Sequence, residues 1–286
     1  MTSPNTERLI RQTLAEINSA IKSGSLDVRV LVNRLREQVI LRIIEGERFS
    51  IGLTGDVEQM LDQILKDFST RLQDQMTEDG RRVFVRGIKV VDAAVRSANL
   101  MVAMPYVSET ILDELKAFRA ELITGLTADI RKNIVTEIRL AAMGQKPVRE
   151  VIQAIGKNLK SPSIFATTLS RSEVIYTTEI SRIHTIAAFK RMQQAALTVK
   201  DMQKRWLHSH VGEPRLNHLA MDGTTIPVND RFNLLGKDGR TYKILHPYDP
   251  LLPAGEVISC RCVLIPKIVR YEKAFPRAIP ARVLVP

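Results

Sequence analysis

A chain of 286 residues with 44% hydrophobic content can bury a sizeable core, as one large domain or two modest ones, and this excludes a disordered protein. Aromatics make up only 5% while aliphatic and long polar side chains dominate, a balance that favours packed helices over a sheet-rich sandwich. The formal charge of +11 suits attraction to a polyanion such as nucleic acid, and equally a soluble helical surface, because no run of Lys or Arg is longer than Arg81-Arg82.

Met1 to Arg8 is polar and holds no apolar signal core. No stretch approaches the roughly 20 apolar residues that a membrane span needs, so no membrane partner is expected. Leu100 to Val107 comes nearest and is interrupted by Pro105. Two cysteines, Cys260 and Cys262, make no disulfide framework and point to synthesis in a reducing cytosol.

Apolar residues at Leu9, Ile10, Leu14, Ile17 and Ile21 predict a helix from Thr6, and a second is expected from Leu26 to about Ile44, with Gly24 between them. Val57, Met60, Leu61, Ile64, Leu65, Phe68, Leu72 and Met76 form an amphipathic stripe, entered through Thr54 and Asp56 and left through Asp79-Gly80. That stripe reads as bundle core or an inter-subunit seam. A further helix is expected from Val83 to Met104, ending before Pro105. Ser108 then caps a long one with apolar positions at Ile111, Leu115, Phe118, Leu122, Leu126, Ile130, Ile134 and Ile138, broken or strained at Gly125. A short helix follows through Val151, Ile152 and Ile155, and Ser161-Pro162 opens another that passes Glu179 and reaches Ala196. His184, inside that helix, is expected to face solvent or a polar neighbour.

From about Val199 Gly, Pro, Asn, Asp and His accumulate, strands become short, and Asp222-Gly223 and Asp238-Gly239 are turn signals. The expected class is therefore α+β: a predominantly helical region over 1–199 serving oligomerisation or docking, a small mixed α+β domain over 200–265, and an extended tail over 266–286. The tail carries Lys267, Arg270, Lys273, Arg277 and Arg282 against Glu272, with Pro266, Pro276, Pro280 and Pro286. It reads as a basic arm that docks on a partner or on nucleic acid, or as a disordered tail.

The C-terminal third contains an ordered series of short phrases. These are Lys204-Arg205-Trp206-Leu207; Glu213-Pro214-Arg215-Leu216-Asn217-His218; Met221-Asp222-Gly223; Ile226-Pro227; and Asp230-Arg231-Phe232. His246-Pro247-Tyr248-Asp249-Pro250 and Glu256-Val257-Ile258-Ser259-Cys260-Arg261-Cys262 complete it. Taken in order, the series resembles the phage Mu F-like head morphogenesis family. Upstream, Ile175-Tyr176-Thr177-Thr178-Glu179 looks like the helix that in this family carries an Ala-Arg-Thr-Glu phrase, and the resemblance covers about residues 125–265. The chain departs from the pattern at Thr177, where Arg is usual, at Glu213, where Asp is usual, and at Ser259, where Asn often precedes the cysteines. The resemblance implies a minor head protein of a tailed bacteriophage, made in the host cytoplasm and carried in the virion. There it would engage the portal protein, the major capsid protein or packaged double-stranded DNA; a homo-oligomer is a separate expectation, from the N-terminal helices pairing between copies.

The residues themselves leave several chemistries open. Cys260 and Cys262 with His218, and with His208 or His210, offer thiolate and imidazole ligands for zinc, although Cys-x-Cys is tighter than usual structural spacings and buried free thiols are the alternative. His218 beside Arg215 and Glu213 is raw material for a metal-dependent nuclease or nucleotidyl-modifying site, or for a polar network that fixes the Asp222-Gly223 turn. The absence of a clear nucleophile or a phosphate-cradling Gly loop favours the network. Trp206 fits a base-stacking or interface role or a place in the core. Lys204, Arg205 and Arg215 join Lys267, Arg270, Lys273, Arg277 and Arg282 as nucleic-acid candidates, which would suit a DNA-binding protein ejected with the genome.

Overall fold

The computed structural model describes residues 4–45, 54–98, 100, 107–208 and 214–268. Five helices come first: α1 (Pro4–Glu45), α2 (Thr54–Ser97), α3 (Thr110–Ala142), α4 (Val148–Ile155) and α5 (Ile164–Ala196). The remainder alternates β1 (Met202–Leu207), α6 (Leu216–Ala220), β2 (Thr225–Pro227), β3 (Phe232–Leu235), β4 (Thr241–Ile244), α7 (Ala254–Val257) and β5 (Val263–Ile268). The α+β class expected from composition is the class observed.

Helix α5 sits at the centre. Its six consecutive residues from Tyr176 to Ser181 are all buried, which an amphipathic surface helix never shows, so α5 is covered on every side. Helices α1, α2 and α3 pack against it, and the sheet closes the rest. The long helices bury aliphatic stripes at three- and four-residue spacing: Val28, Val32, Leu35, Val39 and Ile43 on α1, and Leu61, Leu65, Phe68, Leu72 and Met76 on α2.

Three glycines do not break the chain where breaks were expected. Gly24 lies inside the continuous helix α1, Gly80 inside α2, and Gly125 inside α3. At Gly24 an added Cβ would fall 1.7 Å from the Tyr176 hydroxyl oxygen, and at Gly80 it would meet Ile183 at 3.0 Å and Arg119 at 3.3 Å. These glycines let α1 and α2 press against α5; tertiary packing outweighs their poor helix propensity. Gly87 on α2 meets backbone, with the His184 carbonyl oxygen 2.6 Å from where its Cβ would stand. Gly125 has open space instead, and α3 simply runs through it.

Further differences concern faces and ends. Helix α2 ends at Ser97, and the expected stop at Met104-Pro105 lies outside the described residues. In the first half of α3 the buried face is Leu112, Arg119 and Ile123, leaving Phe118 exposed, with the Arg182 guanidinium over its ring at 4.7 Å. Ser108 helps start α3 by accepting the Thr110 N–H, and Ser163 caps α5 by accepting the Ala166 N–H. His184 is buried, against expectation; burial, with Arg86 nearby, lowers it to about 4 and keeps the ring neutral.

The three-stranded antiparallel sheet has the order β2-β1-β5, with Lys204 opposite Pro266 and Trp206 opposite Leu264, and β3-β4 forms a separate hairpin. Residues 266–268, expected to begin the extended arm, instead complete strand β5; Pro266 sits on the sheet edge away from β2, where its missing N–H costs least. Residues 269–286, including Arg270, Lys273, Arg277 and Arg282, lie outside the described residues. Both faces of the β1-β5 pair are covered. Leu207, Val263 and Ile265 join the core of the long helices, while Met202, Trp206 and Leu264 join a second core with Val91, Val95, Phe189 and Met192 from α2 and α5. The apolar interior thus runs unbroken past residue 200.

The glycines separate packing from propensity. Gly87→Ala drives its Cβ into the His184 carbonyl and lowers stability by about 1–3 kcal/mol, whereas Gly125→Ala raises it by about 0.5–1 kcal/mol. Urea midpoints at unchanged slope measure both shifts.

Candidate functional site

Against the second core, among the described residues, His218, Cys260 and Cys262 form a buried cluster of potential metal ligands. His218 on the short helix α6 points its ring between α7 and the Cys260-Arg261-Cys262 segment that leads into β5. Its Nδ1 lies 3.5 Å from the Cys260 Sγ and 3.6 Å from the Cys262 Sγ. Its Nε2 lies 2.9 Å from Glu256 Oε2, and Trp206 packs edge-on against the ring at 5.8 Å. All three potential ligands are buried.

Glu256 organises this cluster. Its Oε1 accepts the Lys237 backbone N–H at 2.8 Å, and its Oε2 accepts the Asn217 Nδ2 at 3.0 Å as well as facing His218. Burial alone would raise this carboxyl, but the Lys237, Asn217 and His218 hydrogen bonds outweigh it and hold the group below its usual range. Asn217 also donates to the Leu235 carbonyl, so the loop after β3, helix α6 and helix α7 are fastened at one carboxylate. Of the two thiols, Cys260 is drawn well down by contact with Cys262, against burial and with help from His218, while Cys262 is pushed up by Cys260 and by burial.

The cysteine segment is pinned from two directions. The Tyr248 hydroxyl donates to the Cys260 carbonyl, and the Ser259 N–H donates to Thr178 Oγ1 on α5 at 2.9 Å. Tyr248 at φ 71° and Ser259 at φ 57° are the two non-glycine residues with left-handed backbone among the described residues. The loop before Tyr248 is closed by Asp249, which accepts the Leu245 and Leu251 N–H groups.

The sequence-derived candidates fare unequally. His218, Cys260 and Cys262 come together. His208 is buried elsewhere, its backbone N–H donating to Asp222 Oδ1 at 2.9 Å, and His210 and Glu213 lie outside the described residues. The Asp222-Gly223 turn is fastened to β1 and the residue after it, the Gly223 N–H donating to the Trp206 carbonyl and the His208 N–H to Asp222, while the His218 ring faces Glu256 and the cysteines. His218 is 1% exposed with both ring nitrogens engaged, a poor arrangement for a general base that must meet substrate. Glu256 and Asn217 were not singled out, because a partner 38 residues away in sequence leaves no local pattern.

Among the basic candidates, Lys204 is excluded from nucleic-acid contact. It is fully buried, donates to the Leu245 carbonyl at 2.7 Å, and lies over the Phe189 and Phe232 rings at 4.9 and 5.2 Å. Burial pushes its amine down to about 8. Strand alternation puts it on the inner face with Trp206, which is itself core, T-stacked on Phe232 at 5.4 Å. Arg215 donates to the Ile258 carbonyl. Arg205 and Lys267 are half-buried on adjacent strands and share one face of the sheet.

Glu256→Gln tests the carboxylate as organiser. Three donors converge on two oxygens, so the amide NH2 of glutamine must face at least one of them, and stability falls by about 1–3 kcal/mol. A urea midpoint matching that of the wild-type chain would mean the three bonds carry no weight.

Comparison with known proteins fits this geometry. The family model described as "Phage Mu protein F like protein" matches residues 132–265, from the second half of α3 into the first half of β5, and so takes in α5 and every member of the His218 cluster. An uncharacterized protein of Bacillus subtilis (strain 168), YqbB, is 32% identical over 94 residues, which is 32% of this chain and 30% of that protein. The alignment thus spans under a third of that relative's length. No solved structure gives a significant match. Over residues 132–265 the chain is thus similar to the phage Mu protein F-like family, the family that the ordered phrases of its C-terminal third resemble.

Proposed function

We propose that this chain is a minor head protein of a tailed bacteriophage, a structural component of the virion that docks on the portal or the inner capsid and contacts packaged double-stranded DNA. The observation that carries the reading is the family match across residues 132–265, the same stretch in which α5, the sheet and the His218 cluster form one packed unit. The cluster acts as an internal fastening, since its imidazole, thiols and carboxylate are all buried.

Other features support a protein that docks. Leu26, Val30, Leu41 and Ile44 are exposed on α1 and fall on one side of the helix at its 3.6-residue period, which suits contact with another protein. The charge of +11 suits a DNA-facing role, with half-buried Arg205 and the basic residues beyond Ile268 as the candidate contacts. Among the described residues no helix is long and apolar enough to cross a membrane.

Quantitative mass spectrometry of purified particles tests this reading. The chain is expected at a fixed low ratio to the portal protein, far below the major capsid protein. Its absence from mature particles would overturn the role as a virion component.

A further inference from the structure

We propose that His218, Cys260 and Cys262 bind a structural zinc ion, with Glu256 as the outer carboxylate that orients the imidazole. The ligand atoms of the three residues all lie within 4.8 Å of one another. A tetrahedral centre with Zn–S near 2.3 Å and Zn–N near 2.0 Å has N···S edges of about 3.5 Å. The two Nδ1···Sγ separations here are 3.5 and 3.6 Å.

Proton accounting points the same way. Glu256 Oε1 and Oε2 already accept from Lys237 and Asn217, so the ring nitrogen facing that carboxylate, Nε2, carries the hydrogen. Nδ1 is left with a single lone pair in the ring plane, yet two sulfurs stand equally close to it. One lone pair serves one S–H donor; a cation between the three atoms serves both thiolates and the imidazole together. The Nε2–H to carboxylate bond is the arrangement that fixes the tautomer of a metal-bound histidine and raises its basicity.

Donor type selects the ion. Two thiolates and an imidazole favour zinc over the hard cations, which take oxygen ligands. Two thiolate charges also cancel the charge of a divalent ion, so a neutral unit is buried. The tight Cys-x-Cys spacing lets the Cys262 N–H donate to the Cys260 Sγ at 3.4 Å, a bond a thiolate accepts well. Both left-handed non-glycine residues bear on this segment, Ser259 directly before Cys260 and Tyr248 through its hydroxyl on the Cys260 carbonyl, as expected where a metal over-determines the local conformation. Three protein ligands leave the fourth position to a water molecule.

Purified full-length chain, prepared without chelator under reducing conditions, is analysed for metal by plasma mass spectrometry and then reconstituted with cobalt(II) alone. The expected result is one zinc per chain and, on cobalt substitution, intense visible bands of tetrahedral geometry with near-ultraviolet sulfur-to-cobalt charge transfer. Cys262→Ser and His218→Gln lose the metal. Because these variants can also fail to fold, the wild-type cobalt spectrum stands as an independent reading. A wild-type chain that takes up neither zinc nor cobalt, or one whose cobalt spectrum lacks thiolate charge transfer, overturns the site, as does full zinc content in folded Cys262→Ser.

Discussion

Everything in this structure depends on α5 being enclosed on all sides. A helix with one exposed face needs one partner, but a helix buried from Tyr176 through Ser181 needs partners around its whole circumference. Three long helices supply part of that cover, and the β1-β5 pair supplies the rest. Close approach then becomes a requirement on the neighbours, met by Gly24, Gly80 and Gly87 at the points where α1 and α2 come nearest.

Enclosure has a cost, because α5 is not apolar. Glu179 is wholly buried; burial raises its carboxyl despite the Arg182 guanidinium 3.1 Å away and Arg119 nearby. Tyr176 donates to Asp79, and Arg191 grips Asp92 through Nε at 2.6 Å and Nη2 at 3.2 Å, so α5 is joined to α2 at two points by polar as well as apolar contacts. Thr178 reaches the other way, to the Ser259 N–H that sets the cysteine segment in place. The phrase from Tyr176 to Glu179 therefore links the helical layer to the His218 cluster, and the cluster in turn closes the sheet region through Glu256.

How far the sequence reveals this depends on the range of each interaction. Aliphatic periodicity identified the helices because their packing repeats locally, and Asp222-Gly223 and Asp238-Gly239 marked turns because a left-handed glycine is a local need, met here at φ 81° and 76°. The same local logic misread Gly24 and Gly80 as breaks, since the Tyr176 and Ile183 side chains that demand those glycines are more than a hundred residues away. Lys204 looked like a surface cation beside Arg205, yet alternation along β1 turned it inward onto two aromatic rings. His218, Cys260 and Cys262 were legible as a set by their chemistry; Glu256 was not, because its role exists only once α6 and α7 are packed together.

The central claim is that the helical layer and the sheet region are one cooperative unit built on α5. Trp206, the only tryptophan, is buried in the sheet core and reports that region by fluorescence, while circular dichroism at the helical minimum reports α1 to α5. Urea unfolding followed by both probes on the same sample is the direct measurement. A shared core predicts superimposable transitions with one midpoint and one slope. A fluorescence transition well separated from the loss of helix would contradict the account, because it would mean the sheet region unfolds while α5 remains covered.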